Sequence, residues 1–168
     1  MLKKLFFNYD TFIFDLDRTV WDTYSKNGEL IWAKQMITPY SIFSDRIVDD
    51  CFSVCKLQCG IVSVLKELNS MKKNVGFLSR GGICGLEYSL QPSISLLKKF
   101  DIYHFFNYKK TLLYKTDIKI DNLKQIIEEN GRCVFFDDTD KDLDEARTIF
   151  GVKVVDRKGF DSWETIFE

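Results

Sequence analysis

The chain has 168 residues, 45% of them hydrophobic, and a formal net charge of −1. That length suits one domain with a real core and leaves too little for two. Near-neutral charge argues against a general nucleic-acid binder, and no apolar run approaches the length of a membrane span. The opening MLKKLFFNYD turns polar too soon for a secretory signal, and five cysteines without framework spacing suit a reducing compartment. A cytoplasmic protein is expected.

Thr11–Phe14 is the first predicted strand, and it runs into Asp15 and Asp17. Residues i and i+2 of a strand point the same way, so the two carboxylates project together unless the turn begins between them. Such a pair repels, and burial raises at least one pKa, which a divalent cation would relieve. The stretch from 22 to 60 fits no alternation of strands and helices and is expected to be an irregular flap with one irregular helix. Within it Cys51, Cys55 and Cys59 fall at i, i+4 and i+8, as small buried residues on one helical face would.

Ile61, Val64, Leu65, Leu68 and Met71 mark one face of a helix, followed by a buried strand over Asn74–Leu78 that stops at Ser79-Arg80. A second helix is predicted around Leu86–Lys99, with Leu90, Ile94 and Leu97 inward and Pro92 interrupting it or marking its start. Another strand is expected within Asn107–Leu113. Asp121 then caps a helix carrying Leu123, Ile126 and Ile127, closed by Asn130-Gly131. Cys133–Phe136 is a strand ending in Asp137-Asp138, Ala146 and Ile149 belong to the next helix, and Val152–Val155 is the last strand. Trp163, Ile166 and Phe167 mark a closing helical turn. His104, the sole histidine, sits in an aromatic stretch and reads as structural.

Strands alternating with helices imply a parallel sheet covered on both faces, with ligands beyond the carboxyl ends of its strands. That edge would gather Asp15, Asp17, Ser79, Asp137 and Asp138, with Lys119 just ahead of a helix. Four carboxylates and one ammonium are not stable together without a metal. All-oxygen ligands point to Mg²⁺, and the ligand that Mg²⁺, one lysine and one serine hold together is a phosphoryl group.

This ordered set resembles the haloacid dehalogenase superfamily of phosphohydrolases, whose motifs are DxDx[TV], a strand-terminal Ser or Thr, a Lys before a helix, and an acidic pair after a strand. Within it the chain is most similar to the magnesium-dependent phosphatases, through DLDRTVW, Ser79-Arg80 and Phe135-Phe136-Asp137-Asp138. The resemblance covers roughly Phe12 to Asp156 and is weakest over Thr23–Cys59. It implies a single doubly wound α/β domain with a minimal flap and no large cap.

It further implies that Asp15 is the nucleophile, forming an aspartyl-phosphate, and that Asp17 is the general acid and then base. Ionised Asp15 would help to keep Asp17 protonated. Asp15, the Asp17 backbone carbonyl and Asp138 would hold Mg²⁺, with Asp137 acting through water or on Lys119. Ser79, Arg80 and Lys119 would hold the substrate phosphate, and Asp142 would support them from behind. Lys115 is a second candidate for the lysine. Leu123 and Ile126, four and seven residues after Lys119, with Gly131 beyond, match the family's pattern better.

Arg18 departs from the small or aromatic residue usual there, and either adds positive charge for the substrate or is solvated. The implied activity is hydrolysis of a phosphate monoester, on a phosphoprotein, a sugar phosphate or a nucleic-acid end. Two alternatives stay open. One is a non-catalytic phospho-acceptor or phosphate-binding module, and the other an acyl or glyceryl transferase acting on a carrier protein. The order of the motifs, and the acid that Asp17 supplies, favour an enzyme over an acceptor.

Overall fold

A computed structural model describes residues 3–79, 86–106 and 119–166. The strand expected within 107–113 lies outside them, as do Arg80, Cys84, Lys115 and Phe167. In chain order the elements are α1 (Lys3–Asn8), β1 (Thr11–Phe14), β2 (Trp21–Tyr24), β3 (Leu30–Ile31), β4 (Tyr40–Ile42), β5 (Arg46–Asp49) and β6 (Val54–Leu57). There follow α2 (Ile61–Ser70), β7 (Asn74–Phe77), α3 (Leu86–Lys99), α4 (Lys119–Asn130), β8 (Cys133–Asp137), α5 (Asp140–Arg147) and β9 (Val152–Asp156). A 3₁₀ turn, Trp163–Ile166, comes last among the described elements.

Four strands form an all-parallel sheet in the order β7-β1-β8-β9. β1 and β8 are buried at every position, the signature of strands covered on both faces. Side chains alternate across a strand, so Phe12 and Phe14 face one way and Ile13 the other. Phe12 and Phe14 pack with Val64, Leu65 and Leu68 of α2 and with Trp163, while Ile13 packs with Leu123 and Ile126 of α4 and Ala146 of α5. Phe14 stacks on Phe136 with ring centroids 4.8 Å apart.

The closing turn is tied down at both ends of the Trp163 side chain and backbone. Its indole N–H donates to the Thr19 carbonyl (3.1 Å), and its amide donates to the Cys59 carbonyl (2.9 Å). Gly60 makes this contact possible. Its φ is +80°, and a Cβ there would lie 2.7 Å from the Glu164 nitrogen.

The segment between β1 and α2 differs from expectation. Instead of an irregular flap with a helix, it forms a five-stranded antiparallel sheet in the order β3-β2-β6-β5-β4. Its strands are two to four residues long, too short for a periodicity to stand out from the sequence. The cysteines follow the strands: Cys55 is buried in β6, and Cys51 and Cys59 are exposed outside it, so they share no helical face. Burial pushes the Cys133 thiol in β8 up to about 12, which leaves it an inert core residue.

Smaller differences concern helix ends. α4 begins at Lys119, so Asp121 lies within its first turn, where a carboxylate suits the positive end of the helix. α3 continues through Pro92, and its buried apolar residues include Leu96 and Leu97, with Ile94 only half-buried. His104 is exposed, 3.6 Å from Asp101. No described helix is long and apolar enough to cross a membrane.

Candidate active site

The register of the parallel sheet brings the chemistry together. Phe14 pairs with Phe77 on one side and Phe136 on the other. The ladder continues one step further: the Asp15 amide donates to the Phe136 carbonyl and the Leu78 amide to the Phe14 carbonyl, both at 2.8 Å. Asp15 therefore stands between the end of β7, where buried Ser79 follows, and Asp137 at the end of β8.

Lys119 enters this edge from the first turn of α4. Its ammonium lies 2.6 Å from Asp15 Oδ1, 2.6 Å from Asp137 Oδ2 and 3.3 Å from Asp142 Oδ2, and the residue is 4% exposed. Burial alone would favour the neutral amine, but the Asp15 and Asp137 carboxylates beside it outweigh that and hold its pKa above the ordinary lysine value. The other oxygen of Asp137 accepts the Thr139 amide at 2.8 Å. Asp142 sits in the first turn of α5, a position that favours a carboxylate.

One ligand oxygen from each of Asp15, Asp137 and Asp138 falls within 4.8 Å of the others. Burial, opposed by Lys119 and reinforced by Asp137, raises the Asp15 carboxyl well above its ordinary range, and burial together with Asp137 also raises Asp138. Counting Asp142, four carboxylates face one buried lysine and the half-exposed Arg18, whose guanidinium lies 4.0 Å from Asp138 Oδ2. With all four ionised, these described groups carry a formal charge of −2, and a divalent cation with oxygen ligands fits such a cluster.

Asp17 is placed differently from its neighbour. The chain turns at Leu16, whose carbonyl accepts from the amides of Thr19, Val20 and Trp21. The two carboxylates consequently part company, and that of Asp17 stands outside the Asp15–Asp137–Asp138 trio. Its Oδ1 accepts from the Trp21 indole at 3.0 Å and the Ala33 amide at 2.9 Å. Burial raises its pKa, and these two donors oppose the rise. The raised value was expected, but its leading cause is desolvation and not ionised Asp15.

Asp15, Ser79, Lys119, Asp137 and Asp138 therefore belong to one sheet edge, with Asp17 on the turn above it. Trp21 and Ala33 were missed as its partners. The tryptophan was visible two residues after Thr19, yet its hydrogen bond depends on the tightness of the turn. Nothing in the sequence flags Ala33, which donates through its backbone from 16 residues away. Arg18 holds a left-handed φ of 65° and lays its guanidinium 4.7 Å from the centre of the Trp32 ring.

No protein-family model matches the chain, and no curated protein matches it.

Proposed function

We propose that the chain is a phosphohydrolase of the haloacid dehalogenase type, with the doubly wound fold of that superfamily, and that it hydrolyses a phosphate monoester. The observation that carries this reading is Lys119 bridging Asp15 and Asp137 at 2.6 Å, at the carboxyl edge of a parallel sheet and beside Asp138. Mg²⁺ is the cofactor proposed, with Asp15, the Asp17 backbone carbonyl and Asp138 to hold it and Asp137 acting through water or on Lys119. Bound there, it would screen the repulsion between the Asp15 carboxylate and an anionic phosphoryl group.

A carboxylate oxygen of Asp15 attacks phosphorus, the ester P–O bond breaks, and an aspartyl-phosphate forms. Asp17 delivers its proton to the leaving alcohol oxygen. Its raised pKa supports that role, since the acid must arrive protonated. In the second half, Asp17 takes a proton from water as the water oxygen attacks phosphorus, and inorganic phosphate and free Asp15 are released. Lys119 holds Asp15 in place and offsets phosphoryl charge, and Ser79 is positioned to donate to the same group. An acid at Asp17, held by Trp21 and Ala33, is what a phospho-acceptor module would have no use for.

The test is hydrolysis of para-nitrophenyl phosphate with Mg²⁺ and with a chelator. Wild type is expected to turn over only with the metal, and Asp15→Asn to lose at least about a thousandfold. A wild type inert in Mg²⁺ would remove the phosphatase reading and revive the acceptor or transferase alternatives.

A further inference from the structure

A cleft of about 360 Å³ opens beside Asp138, lined by Arg18, Tyr24, Leu30, Asp138, Arg157 and Lys158 among others. That volume falls at the small end of ligand sites and suits part of a small molecule. Arg18, Arg157 and Lys158 bring three cations to its lining and Asp22 and Asp138 two carboxylates, and among the described residues Arg157 forms no ion pair.

Arg157 follows β9 and is 7% exposed. One of its terminal nitrogens donates to Gln58 Oε1 at 2.7 Å and the other to the Phe160 carbonyl. Both partners are neutral, and no carboxylate of the described residues forms an ion pair with it. The nearest acid in the network, Asp22, is held one side chain away: Gln58 Nε2 donates to it at 2.9 Å and the Tyr24 hydroxyl at 3.3 Å. The Arg157 Nε is buried with no hydrogen-bond partner. A buried, unpaired N–H on a charged group is costly unless something supplies an acceptor.

Arg18 also lines the cleft. Among the described residues its buried Nε has no hydrogen-bond partner, and its ion pair there is the 4.0 Å contact with Asp138, a member of the carboxylate trio. Its backbone is held in the left-handed region, which a non-glycine residue rarely adopts, with the guanidinium braced over Trp32. Lys158, also in the lining, pairs with Asp140 at 2.6 Å. Tyr24 and Leu30 add apolar surface to the lining.

We propose that this cleft binds a second oxyanion of the substrate, a carboxylate or phosphate, while the scissile phosphoryl group sits at Asp15. The substrate class is then phosphate monoesters carrying a further negative group, and the volume of the cleft suits a small molecule. A guanidinium suits this recognition, and the terminal nitrogens of Arg18 make no hydrogen bond among the described residues, while buried Arg157 adds positive charge behind the cleft. The inference rests on the phosphatase reading above and adds its specificity.

The experiment compares kcat/KM for phenyl phosphate, para-carboxyphenyl phosphate and para-phenylene bisphosphate. The two doubly anionic substrates are expected to exceed phenyl phosphate by about tenfold to a hundredfold, the span that one charged hydrogen bond supplies. Which of the two is preferred separates a carboxylate site from a phosphate site. Arg18→Gln should reduce that preference by about tenfold, and Lys158→Gln by less. Because each ratio is taken on one variant, losses common to all substrates cancel. Arg157→Lys is a harder test of the buried wall, and the Arg18 result stands if that variant fails to fold. Turnover of phenyl phosphate with a wild-type ratio near one overturns the second-anion cleft and leaves the phosphatase standing. Turnover of none of the three overturns the phosphatase reading, and the cleft with it.

Discussion

Strands β1 and β8 are buried at every position, whereas β2 and β5 alternate between buried and more open positions. The parallel sheet ends in charges that satisfy one another across strands, through Lys119. The antiparallel sheet contributes no member of the carboxylate trio. It reaches the site by hydrogen bonds, from the Trp21 indole at the start of β2 and the Ala33 amide beyond β3. The lesson is a division of labour: one sheet assembles Asp15, Asp137 and Asp138 with Lys119, and the other supplies the hydrogen bonds that hold Asp17.

The largest expected effect falls at the junction of the two. Asp17→Asn keeps an oxygen that can accept from Trp21 and Ala33 but has no proton to exchange with the substrate. kcat should fall by about a hundredfold to ten-thousandfold with the thermal midpoint little changed. A variant that kept its rate would show that Asp17 is only a structural anchor.

Next comes Lys119→Met, which leaves Asp15, Asp137 and Asp142 facing one another without their cation. Urea unfolding near neutral pH in chelator should show a loss of about 3–5 kcal/mol. The sign of its pH dependence is set by Asp15. Its folded pKa, already raised by burial, rises further once Lys119 no longer opposes that, so the folded variant holds the proton more tightly than the unfolded chain. The deficit against wild type should therefore shrink as pH falls toward the unfolded value, about 3.9, and grow as pH rises. A deficit independent of pH would mean that packing, not charge, is what Lys119 supplies.

The smallest effect belongs to the antiparallel side. Trp21→Phe removes one donor to Asp17 and preserves most of the packing, at a cost of about 1 kcal/mol. That donor stabilises the ionised carboxylate, so losing it raises the Asp17 pKa further. The acid then stays protonated to higher pH, and the alkaline limb of the kcat profile should move upward. A limb that stays put would disconnect the antiparallel sheet from the acidity of Asp17.

The same contrast between sheets governs what could be read in advance. A four-residue run such as TFIF, buried on both faces, is visible as a continuous apolar stretch, and Asp15 and Asp137 stand out because each such run ends on them. α2 was equally legible, because Ile61, Val64, Leu65 and Leu68 carry a period of 3.6. The antiparallel strands left no such trace, and the three spaced cysteines there suggested a helix that does not exist. The pairing of β2 with β6 joins Trp21 to Leu57 across a stretch with no local marker.

By itself the sequence determined which stretches form the described parallel strands and which acidic residues end them, because apolar runs and the charges that end them are local properties of the chain. Only the tertiary structure decided that Lys119 lies between Asp15 and Asp137, that Asp17 turns away to Trp21 and Ala33, and that buried Arg157 lines one cleft with Arg18 and Asp138. Those outcomes depend on strand register, on the turn at Leu16 and on contacts between residues up to 104 positions apart. Desolvation and Coulomb energies are set by such distances in space, and spacing along the chain does not encode them.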